Sequence, residues 1–420
     1  MDLTTPSPQP FLRSAQSLAE DLESEIYATP ESEARSSWTH RGCRVEVRAS
    51  ERDSFAEFHV TGLVECAGSA AELAEIVLEE VASVLASRRI QPIQEKLYGL
   101  TAIRGEVMKR RETAYRRRRL DPSVPTTWIQ GLPLLGCDFV GIQIWGVAPY
   151  GGETCVTTVE NPSTGAGRLW KGRGFRMLHL PCVRGIQHDG KLAAGPASQA
   201  DWMFTNAEQG LAAHGFSYSQ VVRTWIYVDR LLDWYGDLNC VRTAHYRRLG
   251  FGTTGGPAFP ASTGIQGRFE EEECLVDVLA LETDGRHATA APVTRSPRQD
   301  QSFNYGSAFS RGMTLDVEGR RTIHISGTAS INTAGDSTHL GDAEMQSLET
   351  LMSIAAILQE QGGTLENITS ATLFCKTREA WEAWRRVSQL LRLPAFPKVC
   401  VLADVCRDNL LVEMEAVAVI

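Results

Sequence analysis

The sequence predicts an α+β fold made of tandem β-β-α-β-α-β-β units, three in number, packed as an intrachain pseudo-trimer. Three observations carry that expectation: two long segments that repeat one another, a weaker copy upstream, and turn-rich stretches between them. Repeats of this length are read before local propensity, because missing them misassigns the whole fold.

The repeat is plainest between Gly215–Ser262 and Gly362–Val399. Each segment starts with Gly after an amphipathic helix, runs through a β-branched and aromatic strand into a Trp-containing helix, and reaches PAFP. That tetrapeptide occupies Pro257–Pro260 and Pro394–Pro397. A closing apolar strand follows each, CLVDVLALE (Cys274–Glu282) and LLVEMEAVAV (Leu410–Val419). Asp277 and Glu413 lie 17 and 16 residues past the final proline, so this count makes them counterparts. The preceding helices, SQADWMFTNAEQGLAAHG and DAEMQSLETLMSIAAILQEQG, space their apolar residues by three and four. Ahead of them, KLAAGPAS and TIHISGTASI share a small-residue turn. Upstream, FAEFHVTGLVECAGS reads as strand and turn, SAAELAEIVLEEVASVLASRR as an amphipathic helix, and FVGIQIWGVAP as a closing strand.

The expected division is a loosely ordered tail over 1–40, a divergent unit over 41–160, and further units over 170–285 and 300–420. Linkers are expected in Glu160–Gly174 and Thr283–Asp300, both rich in Gly, Pro, Ser or Thr. The tail expectation rests on TPSPQP and the Glu/Ser-rich sequence after it.

Composition narrows the function. With 43% hydrophobic and 22% charged residues the chain is an ordinary globular protein. Its formal charge of −9 argues against a nucleic-acid partner, which needs a basic surface. The Arg-rich stretch at 109–119 reads as a solvated face. No apolar run is long enough for a membrane span, and no signal-peptide core is present, so neither a membrane nor export is expected. Ten scattered cysteines without a CxxC pair or a Cys/His cluster read as reduced thiols in a cytoplasm, and as no metal site. The histidines show no HExxH spacing, which speaks against a metal hydrolase.

The closing strand holds the first chemical clue. Val412, Met414, Ala416 and Ala418 make one face apolar, while Glu413 and Glu415 share the other. Two carboxylates sequestered side by side push their pKa values apart, so one holds a proton near neutrality. Trp225, Tyr227, Trp234 and Tyr235 in the second unit could line a ligand cleft, and read first as sheet packing.

The unit, with its SG turn, Gly-initiated strand and closing VEMEAVAV, resembles the YjgF/RidA family, trimers of a chorismate-mutase-like fold with sites between subunits. RidA-type imine deaminases use an arginine about fifteen residues before the first glutamate of their closing motif. Here Lys398 stands there, with Ala261 or Ser262 in the second unit. A closer resemblance is to the FkbO-type chorismatases. It is carried by SPRQ (Ser296–Gln299), YGSAFSRG (Tyr305–Gly312), SGTASI (Ser326–Ile331), HLGD (His339–Asp342) and DVCRDNLLVEMEA (Asp404–Ala416). This chain is longer by an extra N-terminal unit.

The resemblance implies removal of pyruvate from chorismate by protonation of the enolpyruvyl ether, without metal or organic cofactor. It places the catalytic glutamate on Glu413 and a product-selecting position on Cys406, where cysteine resembles the branch making 3-hydroxybenzoate and alanine the branch making a dihydroxy-cyclohexadiene carboxylate. Residues expected to bind the dianionic substrate are Arg298, Arg311, Arg268 and Lys398 as cations. Tyr305 and the backbone at Gly327 and Ala329 are expected beside them, with Glu415 supporting Glu413. The other expectations are a RidA-like deaminase or hydrolase acting on another enamine or enol ether, and a small-metabolite binding protein without catalysis. The partner expected is a small molecule, the chain itself being a monomeric pseudo-trimer or a small homo-oligomer.

Overall fold

The structure is a computed structural model that describes residues 34–152, 154–161, 164–267 and 271–420. Most of the expected tail and Arg268 lie outside the described residues.

The first unit runs β1 (Arg35–His40), β2 (Cys43–Glu51), β3 (Phe55–Val64), α1 (Ala70–Ser87), β4 (Gln91–Gly99), α2 (Arg104–Arg117), β5 (Thr127–Gln130) and β6 (Phe139–Pro149). The second has β7 (Cys155–Asn161), β8 (Gly165–Gly172), β9 (Phe175–Arg184), α3 (Pro196–Ala213), β10 (Val221–Val228), α4 (Leu231–Arg248), β11 (Ala261–Gln266) and β12 (Cys274–Thr283). The third has β13 (Ala288–Val293), β14 (Gly312–Val317), β15 (Arg320–Ala329), α5 (Ala343–Glu360), β16 (Ile368–Cys375), α6 (Arg378–Leu390), β17 (Lys398–Leu402) and β18 (Val412–Val419).

Each unit forms a six-stranded sheet of the same order, β1-β2-β3-β6-β4-β5 and its equivalents. The closing strand lies at the centre, and only the last pair, such as β16 with β17, is parallel. One strand per unit was not anticipated. Sequence that reads as linker folds as strand, the Glu160–Gly174 segment into the β7–β8 hairpin and part of Thr283–Asp300 into β13. Gly, Ser and Thr mark a turn there, but the Thr and Val around it pair as edge strands.

Helix starts follow local capping. Ser69 caps α1 by accepting from the Glu72 N–H, Asp342 caps α5 from Met345 and Thr377 caps α6 from Ala380. Each helix pair covers one face of its own sheet, as in the third unit, where Leu351, Ile354 and Trp384 pack on Val412, Met414 and Ala416. The other faces of all three sheets meet in one shared core, with Phe55 and Trp145, Trp170 and Trp225, Leu315 and Phe374 contributed by successive units. Trp225 and Tyr227 therefore pack the seam and Trp234 the second unit's own core. In the Arg-rich helix α2, Arg110, Arg116 and Arg117 pair with the half-buried Glu75, Glu112 and Glu79, but Arg111 is buried against Glu95 and the carbonyls of Pro122 and Val124.

Candidate active site

The glutamate face of β18 looks into the seam between units. Glu413 pairs across the sheet with Ala329 and Phe374, and Glu415 with Thr372. The register corrects the sequence count. His324, His179 and His59 occupy matching positions on β15, β9 and β3, facing Val417, Leu279 and Trp145. Two residues back along the closing strands stand Glu415, Asp277 and Gln143, so Asp277 is the counterpart of Glu415. Glu413 is matched by Leu275 and Gly141, and a carboxylate at that level belongs to the third unit alone.

Two Thr contacts confirm the pairing. Thr263 Oγ1 donates to Glu415 Oε2 at 2.6 Å, and Thr127 Oγ1 to Asp277 Oδ2 at 2.6 Å, each from the parallel edge strand of the preceding unit, β11 or β5. The two-proline count missed by two residues because the loops after PAFP differ in length. Face alternation, with its period of two, would have kept both acids on the seam whichever count was used.

Glu413 lines a cleft between the second and third units with Tyr235, Arg242, Tyr305, Arg311, Cys406 and Arg407, floored by Ser262, Gly264, Gly327 and Ala329. Its enclosed part has a cavity volume of about 50 Å³, within about 540 Å³ of empty space that includes the solvent-open mouth. The units are stapled at its base. Ser310 donates from its N–H to Pro260 O at 2.9 Å and from Oγ to Phe259 O at 2.7 Å, so the first PAFP is a docking element. Ser326 Oγ accepts from Ser262 N at 2.9 Å, and the Gly327 N–H donates to Thr263 Oγ1 at 3.1 Å.

Burial and the neighbouring Glu415 carboxylate push the Glu413 carboxyl up to about 8, against the pull of Arg223. Burial works the same way on Glu415, but Lys96, Arg223 and the Thr263 hydroxyl outweigh it and hold Glu415 below the usual carboxylate range. Arg223 Nη2 meets Glu415 Oε2 at 2.7 Å and Lys96 Nζ lies 3.5 Å from Oε1. One acid of the pair is thus neutral at pH 7 and its neighbour ionised. Glu415 does not line the cleft. It acts on Glu413 through its charge.

The cations are preorganised. Arg311, 2% exposed, is held by the Asp300 carbonyl through Nε at 3.0 Å and Nη2 at 2.8 Å, and by the Tyr305 hydroxyl. Arg407 Nη1 donates to Gly335 O at 2.6 Å. Arg242 Nη2 donates to Asn239 Oδ1 at 2.6 Å, while its buried Nε has no hydrogen-bond partner. Among the described residues that line the cleft Glu413 is the one acid, beside three arginines. The Cys406 thiol is pushed up to about 12, by burial first and Glu413 next, and stays a neutral wall group.

Of the residues singled out from sequence, the structure brings Glu413, Cys406, Arg311, Tyr305, Gly327 and Ala329 together. It does not bring Arg298, which forms a two-pronged pair with Glu349 of α5 on the surface. Lys398 lines a different cleft, between the third and first units, with Arg44, Trp381 and Arg385. The resemblance-based position is right in register, since Lys398 matches Ser262, but Lys398 serves the neighbouring seam. Sequence reasoning missed Arg242 and Arg407, and ranked a cleft role for Tyr235 behind sheet packing. Arg407 was signalled by its place beside Cys406. The other two sit on α4 of another unit, where nothing local marks them.

Gly327 lies in a bulge of β15, and its bare Cα is needed. A Cβ there would stand 2.0 Å from Glu413 Oε1. The Gly327→Ala variant is therefore expected to displace the carboxyl and lower turnover about tenfold or more, since ångström misplacements carry such losses. A crystal structure showing Glu413 unmoved, with unchanged rates, would contradict this.

Fold and site together define a chain of three tandem units of YjgF/RidA-like fold, with the Glu413 cleft between the second and the third. Residues 307–420 match the family model described as Endoribonuclease L-PSP. The particular architecture is similar to that of a chorismatase crystal structure, with a TM-score of 0.52 and 18% identity over 71% of this chain and 88% of that one. Single-unit structures also match locally. A YjgF protein family member from Neisseria meningitidis is 19% identical over 32% of this chain and 97% of its own, with a TM-score of 0.25. Yeast Mmf1 is 19% identical over 31% of this chain and 98% of its own, with a TM-score of 0.26.

Proposed function

We propose that this chain is a chorismatase-like enzyme that removes pyruvate from chorismate. The observation that carries the reading is a neutral carboxylic acid, Glu413, in a cleft whose other charged lining residues are the arginines Arg242, Arg311 and Arg407. A dicarboxylate with an acid-labile enol ether fits both features. The arginines neutralise two carboxylates at fixed positions. Glu413 delivers its proton to the terminal carbon of the enolpyruvyl group, and an oxocarbenium ion forms at the ether carbon. The Glu413 carboxylate left behind stabilises that cation, and Glu415, already ionised, adds to the field.

Two outcomes follow from which oxygen attacks. Water gives pyruvate and the dihydroxy-cyclohexadiene carboxylate, consuming one water. The ring's own hydroxyl gives, after aromatisation, 3-hydroxybenzoate and pyruvate, whose atoms together equal those of chorismate. Cys406 fills the wall beside Glu413 and Tyr235 and so excludes water, which favours 3-hydroxybenzoate. The step needs a proton and a shaped pocket only.

The imine-deaminase alternative is disfavoured by Ser262 at the position where that chemistry places an arginine. Among the described residues no helix is long and apolar enough to cross a membrane, and all ten cysteines are free. Free thiols support the proposal of a reducing, cytoplasmic setting.

Incubation with chorismate, with pyruvate and the aromatic product followed together, tests the reading. Equimolar pyruvate and 3-hydroxybenzoate are expected. Binding without turnover would leave a metabolite-binding protein and end the enzyme reading. Cys406→Ala is expected to shift product toward the dihydroxy-cyclohexadiene carboxylate, and an unchanged ratio would remove Cys406 from product choice.

A further inference from the structure

A second polar cavity lies where the three units meet, on the pseudo-threefold axis, further along β18 from the Glu413 cleft. All three units line it: His59, Gln94 and Lys96 from the first, Arg223 and Trp225 from the second, His324, Thr372 and Glu415 from the third. Its volume is about 40 Å³, within about 470 Å³ of empty space that includes open solvent, room at its core for one small ion or one or two waters.

The lining asks for an occupant. Arg223 and His324 are each 2% exposed, yet among the described residues Arg223 Nη1 and both ring nitrogens of His324 have no hydrogen-bond partner. Orphaned buried donors are rare and costly in native proteins. Charge sets the sign of the occupant. The cations facing the cavity are Lys96 and Arg223, both lying over the Trp225 ring, at 4.2 and 4.8 Å from its centroid. They share a single carboxylate, Glu415. Neighbouring acids are turned elsewhere: Glu57 pairs with Arg52 and meets His59 at 3.6 Å, and Asp277 accepts from Thr127 and the Cys182 N–H. His179 is occupied by Gln94 at 3.2 Å. Burial drives the His324 and His179 rings well below the ordinary histidine range, so they add no charge at neutral pH. Among the described lining residues two basic side chains and an unpartnered ring thus face one carboxylate, so donors outnumber acceptors at the cavity, while burial pulls Lys96 and Arg223 down and Glu415 and, for Lys96, Asp277 pull the other way.

We propose that this cavity binds one small inorganic monoanion of chloride size, held between Arg223 Nη1, Lys96 and a ring N–H of His324. The ion accepts from a donor of each unit, Lys96, Arg223 and His324, and so links the three at their junction. Because Arg223 also acts on Glu413, the ion belongs to the same field as the acid while lying outside its cleft.

Bromide soaked into crystals of the full chain tests the site without reference to turnover. An anomalous peak is expected on the axis within hydrogen-bond reach of Arg223 Nη1. Thermal unfolding of the wild-type chain should also rise in chloride or bromide relative to gluconate at equal ionic strength, by the linkage that any native-state ligand imposes. Lys96→Met should lose both signals. Water density without an anomalous peak, or a halide-specific shift that persists in Lys96→Met, would overturn the proposal. The chorismate reading is tested separately by pyruvate release and stands or falls without the ion.

Discussion

Glu413→Gln is expected to lose turnover by on the order of 10²–10⁴-fold while becoming the more stable protein. Glutamine keeps the shape and removes the proton. The stability gain has a definite sign. The Glu413 carboxyl is raised in the folded chain from 4.5 to about 8, so native stability is fully present below 4.5 and falls as pH rises toward 8. At pH 7 the buried carboxyl opposes folding by up to about 3 kcal/mol, which the amide relieves. Thermal unfolding of the two proteins should therefore diverge above pH 5 and converge at pH 4. Equal unfolding temperatures across that range would mean that Glu413 titrates as an ordinary carboxyl. A fully active glutamine variant would remove Glu413 as proton donor.

The second large effect is expected at Arg311. Its guanidinium spans the Asp300 carbonyl and the Tyr305 hydroxyl while lining the cleft, which a planar fork with several donors can do and an ammonium cannot. Arg311→Lys should lower kcat/KM by about 10²-fold or more, the range for breaking a buried charged contact, with Glu413 still titrating high. Arg298→Lys is the control. Arg298 meets Glu349 at the surface, and its variant should turn over normally. Equal losses in both variants would show that the cleft is not the anion site.

These contrasts mark how far the sequence reaches. Alternation along Leu411–Val419 puts Glu413 and Glu415 on one face, and burial of that face against other units makes them a site. The repeat and the motifs around Tyr305, Gly327 and Cys406 bring together most of one wall. The opposite wall is supplied by α4 of the second unit, more than 160 residues earlier, and Arg242 and Tyr235 carry no local mark of that role. Arg298 and Lys398 fail for the converse reason. Both are cations at suggestive positions, but β13 and the rotation from unit to unit carry one to the surface and the other to the next seam. The strands mistaken for linkers fail because Gly and Thr are common both to turns and to short edge strands.

The central claim is that a protonated Glu413 acts in an arginine-lined cleft. The pH dependence of kcat/KM for pyruvate release from chorismate measures it directly, since this parameter reports the free enzyme's ionisations. Activity is expected to hold through neutrality and then fall tenfold per pH unit above about 8, as the carboxyl ionises. A profile that already declines above pH 5, or one that stays level to pH 10, would contradict the claim.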